Sequence, residues 1–386
     1  MTRIVVAGAL ANKAGSGGEA WVRLSWVRGL QKLGCSVHLI EQISPEACTD
    51  AFGQVVELER SLNLEYFAGV TERFGLTGSA ALILDDGSRV HGPSLQDLGD
   101  VAAEADLLVN ISGHLRLPQL LGRFRRRAYV DIDPGFTQFW HEAGALGTQL
   151  DDHDLHFTIG ENIGHRACPI PTGGYHWRQT RQPVVLDDWP VSQADGPVRL
   201  TTVGTWRGPY GPVRHGDRTY GIKVHEFRKF VTLPQKAEPT FELAMAIAAG
   251  DEADRRLLLA NGWELLEPSC VAADPHGFRT YVQGSSGEFS VAQGVYVHTN
   301  SGWFSDRSVR YLASGKPVVV QDTGFARHLP VGQGLLPFST LGDAVAAIAG
   351  VVADYEAHAE AARSVAERFF GSERVLSRFL DDARVG

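Results

Sequence analysis

Between residues 4 and 40 the sequence passes from a short apolar strand, Ile4-Val5-Val6-Ala7, through a glycine-rich turn, Ala14-Gly15-Ser16-Gly17-Gly18, into a helical stretch at 19–33. Gly34 stops that helix, and a second strand follows at 36–40. Strands joined in this way lie parallel with a right-handed crossover, and a parallel sheet has to be covered on both faces. The chain is thereby committed to a layered α/β architecture. Further strand-like apolar runs at 80–84, 107–111, 129–132 and 156–159 extend the same sheet.

The pattern then changes. Pro169, Pro171, Pro183, Pro190 and Pro197 fall in a stretch without sustained periodicity, and 183–196 has linker composition. Alternation restarts with strands expected at 198–203, 263–266, 295–298 and 317–321, and a possible one at 279–283. Helices are expected at 221–232, 241–249, 251–261 and 307–314, a long alanine-rich one from 342 to about 360, and a last piece at 372–382. Residues 1–182 and 197–386 thus form two Rossmann-like domains, with a cleft between the carboxyl ends of their sheets. The 386-residue length suits two cores.

Composition limits what enters that cleft. With 36 Lys plus Arg against 45 Asp plus Glu, the formal charge is -9, which argues against a broad nucleic-acid footprint and leaves room for a small anionic ligand. Cys35, Cys48, Cys168 and Cys270 have no paired spacing and are expected as free thiols. His153, His156, His165 and His176 show no metal-ligand spacing, so no metal and no obligatory cofactor are expected. The N-terminus enters a strand at once instead of a signal-peptide core, and no segment is apolar enough to span a membrane. A cytoplasmic protein is expected; oligomeric state leaves no trace in the sequence.

Residues 301–325 carry the strongest local signal. Ser305 or Asp306 caps a helix whose mouth presents Asp306, Arg307 and Ser308, and Gly315-Lys316-Pro317 leads into Val318-Val319-Val320. Free amides, a hydroxyl and a guanidinium at a helix start suit a phosphate. An ordinary capped helix with a solvated Arg307 is the plain alternative. The run Leu312-Ala313-Ser314-Gly315-Lys316-Pro317-Val318-Val319 resembles the donor-binding segment of GT-B glycosyltransferases, which have two Rossmann-like domains. Two glutamates of that pattern fall on Gly302 and Arg310 here.

A second resemblance lies in Val203-Gly204-Thr205-Trp206-Arg207-Gly208 and Gly221-Ile222-Lys223. It implies that Arg207 and Lys223 hold a donor diphosphate, stabilising charge as the leaving group departs. It also implies that a glycine loop, here Gly15, Gly17 and Gly18, faces the phosphates, and that the helix at 372–382 returns to the first domain. Glu288 and Ser286, in the polar stretch 284–290, are candidates for sugar or base contacts, with Glu288 standing in for the missing ribose carboxylate. Asp133 and His114 follow strands of the first domain, and the resemblance makes them the candidates for catalysis; an Asp-Pro-Gly turn is the plain reading of Asp133. Phe136, Phe139, Trp140, Tyr175 and Trp177 flank the same region.

The activity so implied is sugar transfer from a nucleotide-diphosphate sugar to a small-molecule or glycan acceptor. Loss of the glutamates leaves open a non-catalytic nucleotide-sugar-binding homologue or an activator subunit. The Gly-x-Gly-x-x-Ala match at 15–20, with Glu41 at the end of the second strand, raises an NAD(P)-dependent oxidoreductase as a further alternative. Its glycines begin too far beyond the strand for the tight turn that this site requires.

Overall fold

The computed structural model describes the whole chain except residues 148, 195, 209 and 386. The first sheet holds β1 (Arg3–Ala7), β2 (Ser36–Ile43), β3 (Ala80–Leu84), β4 (Val90–His91), β5 (Leu107–Ile111), β6 (Arg127–Asp131), β7 (Leu155–Thr158) and β8 (Trp177–Gln179). Their order across the sheet is β4-β3-β2-β1-β5-β6-β7-β8, and every pair is parallel except β3 with β4. The second half begins with β9 (Arg199–Thr205) and a small antiparallel hairpin, β10 (Val213–His215) and β11 (Arg218–Tyr220). It continues with β12 (Thr240–Ala246), β13 (Glu264–Leu266), β14 (Gly287–Ser290), β15 (Val318–Gln321) and β16 (Leu335–Phe338). Its parallel sheet runs β13-β12-β9-β14-β15-β16.

Each sheet reverses its winding at one strand. β1 lies between β2 and β5, and β9 lies between β12 and β14. At such points the connections leave in opposite directions and open a crevice beyond the carboxyl ends of the strands. Residues that follow β1, β5, β9 and β14 are therefore the ones the fold gathers.

Several local expectations are corrected. Residues 241–249 hold good helix formers, yet Thr240–Ala246 is strand β12, because a segment paired on both sides and buried on both faces follows tertiary packing over propensity. Residues 279–283 end a helix, Pro275–Gln283, whose N-cap Asp274 accepts hydrogen bonds from His276 and Gly277. The expected strand at 295–298 is a short helix, Gly294–His298. The polar stretch 284–290 contains the central strand β14. The helix expected at 221–232 is confined to Lys223–Phe227 and 3-10 turns. The long alanine-rich helix is broken at Asp354 into Leu341–Ala353 and Tyr355–Phe369.

The two halves share one continuous apolar core through the Gly17–Lys32 helix. Gly17 N–H donates to the Ala272 carbonyl at 2.8 Å, and Trp21 Nε1 donates to the Pro275 carbonyl at 2.8 Å. A Cβ on Gly17 would lie 2.0 Å from the Asp274 carbonyl oxygen, and one on Gly18 would lie 3.0 Å from the Phe278 ring. The Ser372–Asp382 helix packs on the same element, with the Trp26 and Phe379 rings 5.0 Å apart.

Gly17→Ala is expected to destabilise the protein by about 1–3 kcal/mol through this overlap with backbone. Gly69→Ala, at an exposed position of the helix Leu62–Arg73 with nothing near its Cβ, is expected to be neutral or to stabilise by up to about 1 kcal/mol. Urea unfolding of both variants checks the contrast, and equal midpoints would contradict it.

Candidate functional site

Glu41, fully buried on β2, shapes the loop after β1. Its carboxylate accepts the N–H groups of Leu10 (2.8 Å), Ala11 (2.5 Å) and Asn12 (2.7 Å). Burial pushes this carboxyl up to about 7 against the pull of those amides. Glu41 is thus committed to the backbone, and the ribose carboxylate that a dinucleotide site needs is taken.

Beyond that loop, Glu19 and Arg23 lie one turn apart on the first helix. Arg23 Nη1 donates to the Glu19 carboxylate and, at 3.1 Å, to its carbonyl, while Nε has no partner. The Arg23 side chain lies against Gly8, just beyond β1, where a Cβ would meet Arg23 Cγ at 3.2 Å. Burial raises the Glu19 carboxyl, but the charges of Arg23 and Lys13 bring it below the usual range. Burial, then Arg23 and Arg116, push the His114 imidazole down to about 3, so it is neutral. Asp133, after β6, is pushed up to about 7 by burial and by the charges of Asp131 and Glu19. The Tyr296 hydroxyl reaches across from the second half and donates to Asp133 Oδ1 at 3.0 Å.

The facing wall is built after β9 and β14. Gly204 is the next-to-last residue of β9, and a Cβ there would lie 3.3 Å from Lys223 Nζ and 3.8 Å from Arg307 Nη1. Lys223 N–H donates to Gln293 Oε1 at 2.6 Å, fixing the start of its helix. Burial and the charge of Arg307 push the Lys223 ammonium down to about 7, against Glu288 and Asp306. Arg307 itself is spent on the sheet. Its Nε donates to Glu288 Oε1 (2.5 Å), Nη1 to the Val203 carbonyl (2.8 Å) and Nη2 to Ser290 Oγ (2.5 Å).

Ser305 is the N-cap of the Asp306–Ala313 helix, but its side chain takes no amide of the first turn. Ser308 is fully buried, its hydroxyl is unpartnered, and it lines a small cavity of about 10 Å³ with Ser290, Trp303 and Gln321. One turn on, Arg310 occupies the place where the resemblance has a glutamate. It donates to the Asp306 carboxylate at 2.9 Å and reaches Ser25 Oγ of the first helix at 3.4 Å, so it braces the two halves.

Of the expected site residues, Asp133, His114, Lys223, Asp306, Arg307, Ser308 and Glu288 stand on these two walls. Others do not. Arg207 is held bidentate by Asp251 (2.7 and 2.5 Å) and, among the described residues, makes no contact with Lys223 or Arg307. Ser286 precedes β14 at the amino end of the sheet, where its Oγ accepts from Arg199 N–H at 3.0 Å. Gly17 and Gly18 are consumed by packing, and only Gly15 is open. Glu288 sits fully buried inside β14 with Oε2 unpartnered, so it organises Arg307 from beneath. Phe136 and Phe139 pack against Tyr210 and Tyr220 of the second half, at 5.0 and 5.3 Å.

Glu19, Arg23, Tyr296 and Gln293 were not expected. A Glu–Arg pair four residues apart just after the glycine loop was a signal available in the sequence. Tyr296 is hidden in the sequence because 295–298 reads as a strand, whereas it is a short helix.

No protein-family model matches the sequence, and no curated protein matches it significantly. Solved structures do match, over essentially full length. An alpha-glucosyltransferase (AGT) in complex with UDP superposes with a TM-score of 0.61 at 10% identity, covering 100% of both chains. The chain has the GT-B fold. A glycosyltransferase from Rickettsia africae gives 0.55 at 12% identity over 99% of this chain and 98% of that one. HepE of Anabaena in complex with UDP gives 0.52 at 14% identity over 99% and 100%. The alpha-glucosyltransferase is also known in complex with UDP and a 13-mer DNA, with a TM-score of 0.59.

The raised Asp133 carboxyl has a definite sign. Between pH 4 and 7 the folded protein holds a proton there that the unfolded chain has released, so this group lowers stability as pH rises through that window. Asp133→Asn is expected to gain about 1–2 kcal/mol over the wild type between those pH values, allowing for partial solvent screening. Denaturant titrations at pH 4 and 7 check this, and a constant difference would contradict it.

Proposed function

We propose that this chain transfers a sugar from a nucleoside diphosphate sugar to a hydroxyl acceptor. The observation that carries the reading is Lys223. Arg23, Arg307 and Arg310 are each hydrogen-bonded to protein groups, whereas the Lys223 ammonium has no hydrogen-bond partner among the described residues. It stands at the reversal point of the second sheet, beside a glycine and opposite the open first turn of the Asp306–Ala313 helix. A diphosphate placed between Lys223 and the amides of Asp306, Arg307 and Ser308 restores the lysine's charge and receives those amides. UDP on the GT-B structures above supports the same class of ligand.

In this reading the sugar projects toward the first domain. An acceptor oxygen attacks the anomeric carbon, the bond to the diphosphate oxygen breaks, and the electron pair leaves with the nucleoside diphosphate. Lys223 and the helix amides stabilise that charge. Asp133, with an affinity for protons matched to neutral pH, receives the acceptor's proton, and Tyr296 fixes its orientation. His114, kept neutral, donates or accepts a hydrogen bond at the sugar without adding charge. Glu19 and Arg23 hold the field around them. We take the acceptor to be a small molecule or glycan, since the chain's charge of -9 opposes a polyanion. No helix among the described residues is long and apolar enough to cross a membrane.

The test is release of UDP from UDP-glucose, with and without a panel of hydroxyl acceptors. Lys223→Ala is expected to lower kcat/KM by about 10²-fold with little change in melting temperature. Arg207→Ala, whose guanidinium is held by Asp251, is expected to stay within about threefold of the wild type. Absence of turnover in the wild type, or full activity in folded Lys223→Ala, would sink the proposal.

A further inference from the structure

A second charged hollow lies where the segment after β8 meets the last two helices, Tyr355–Phe369 and Ser372–Asp382. Its volume is about 210 Å³, and Arg181, Arg368, Arg374 and Arg378 line it. These arginines are not equivalent. Arg181 donates to both oxygens of Glu161 at 2.8 Å and lies over the Phe369 and Phe370 rings at 5.5 and 5.9 Å. Its charge is already balanced. Arg378 has only a loose contact with Asp382 at 3.7 Å, and Arg368 rests on the Phe369 ring at 5.4 Å without a carboxylate. Arg374 has no partner among the described residues.

Arg374 and Arg378 are one turn apart on the final helix and so present their side chains side by side. Even with Glu161 and Asp382 on the wall, the hollow carries surplus positive charge in a chain whose formal charge is -9. A second, independent feature points the same way. Thr180 also lines the hollow; it is only 8% exposed, and its hydroxyl has no partner. Buried hydroxyls without partners are uncommon in folded proteins.

We propose that this hollow binds the phosphate of a small soluble phosphomonoester, at a site separate from the transfer cleft. Guanidinium groups match phosphate oxygens in planar pairs, and a threonine hydroxyl adds a short neutral donor. The open hollow, at about 210 Å³, suits one phosphate with a few attached carbons and is smaller than the pockets that take drug-sized ligands. A lipid surface is the less fitting source of the same phosphate, since the large exposed apolar residues, Phe52, Val55 and Leu62 among them, are not part of the hollow. The stacked Phe304 and Phe370 rings, 5.3 Å apart, link the wall of the small cleft cavity to the ring beneath Arg181.

The experiment is calorimetric titration of the intact chain with glycerol 3-phosphate, on the wild type, Arg374→Ala/Arg378→Ala, Thr180→Val and Lys223→Ala. Both arginines are exposed, so the double variant is expected to keep the wild-type melting temperature. Binding by the wild type and Lys223→Ala is expected, with a loss of about tenfold or more in the arginine variant and a smaller loss in Thr180→Val. The proposal is overturned if the wild type does not bind, if the arginine variant binds equally well, or if Lys223→Ala alone loses binding, which would put the probe in the cleft. Sedimentation with phosphatidylserine vesicles in the absence of glycerol 3-phosphate binding would overturn it in favour of a lipid surface.

Discussion

One contact sets the geometry of this molecule: the first turn of the Gly17–Lys32 helix presses onto the backbone of residues 272–275 in the other half. No side chain fits at Gly17, so the backbones meet directly, and the Gly17 amide that would otherwise be free at a helix start is given to Ala272. The helix is buried nearly all round for the same reason, Arg23 and Ser25 included. Trp21 meets the second domain, Trp26 meets the returning terminal helix, and Leu24, Val27 and Leu30 join the core shared by both halves.

That seating determines what remains for chemistry. With the Gly17 amide given to Ala272, what the helix brings to the site is side chains, Glu19 and Arg23, whose charges act on His114 and Asp133. Across from them the second half supplies Lys223, Asp306, Arg307 and Arg310. Charges of both signs at such close quarters are stable only if most are paired, and most are: Arg23 with Glu19, Arg307 with Glu288, Arg310 with Asp306. Lys223 is the exception on its wall. Burial and a neighbouring guanidinium push its ammonium down to about 7, so its charge at neutral pH is one that an arriving anion strengthens.

The layered α/β plan was legible because buried parallel strands such as 80–84 and 107–111 are short, uniformly apolar and set between helical stretches. Where the same environment was built from less typical residues, the reading failed. Thr240–Ala246 carries alanine, leucine, methionine and glutamate, and Gly287–Ser290 carries glycine and serine. Both are central strands whose identity comes from their neighbours, which no local pattern reports. The candidate site was legible at Lys223, Asp133 and the 306–308 helix start, since each lies in a polar segment that opens a helix or turn. Arg207 and Ser286 could not be sorted from it by spacing alone: one depends on Asp251, more than forty residues away, and the other on which end of β14 it occupies.

The central claim, that Lys223 is an unpaired lysine whose ammonium is depressed to about 7 and which receives a diphosphate, has a direct thermodynamic signature. At pH 8 a lysine depressed to about 7 is mostly unprotonated, and an arriving diphosphate raises its affinity for a proton. Titration calorimetry of UDP binding at pH 8, repeated in buffers of different ionisation enthalpy, reads the protons exchanged. The account predicts uptake of about one proton per UDP bound, lost in Lys223→Met. UDP binding with no proton uptake, or with the same uptake in the variant, would contradict it.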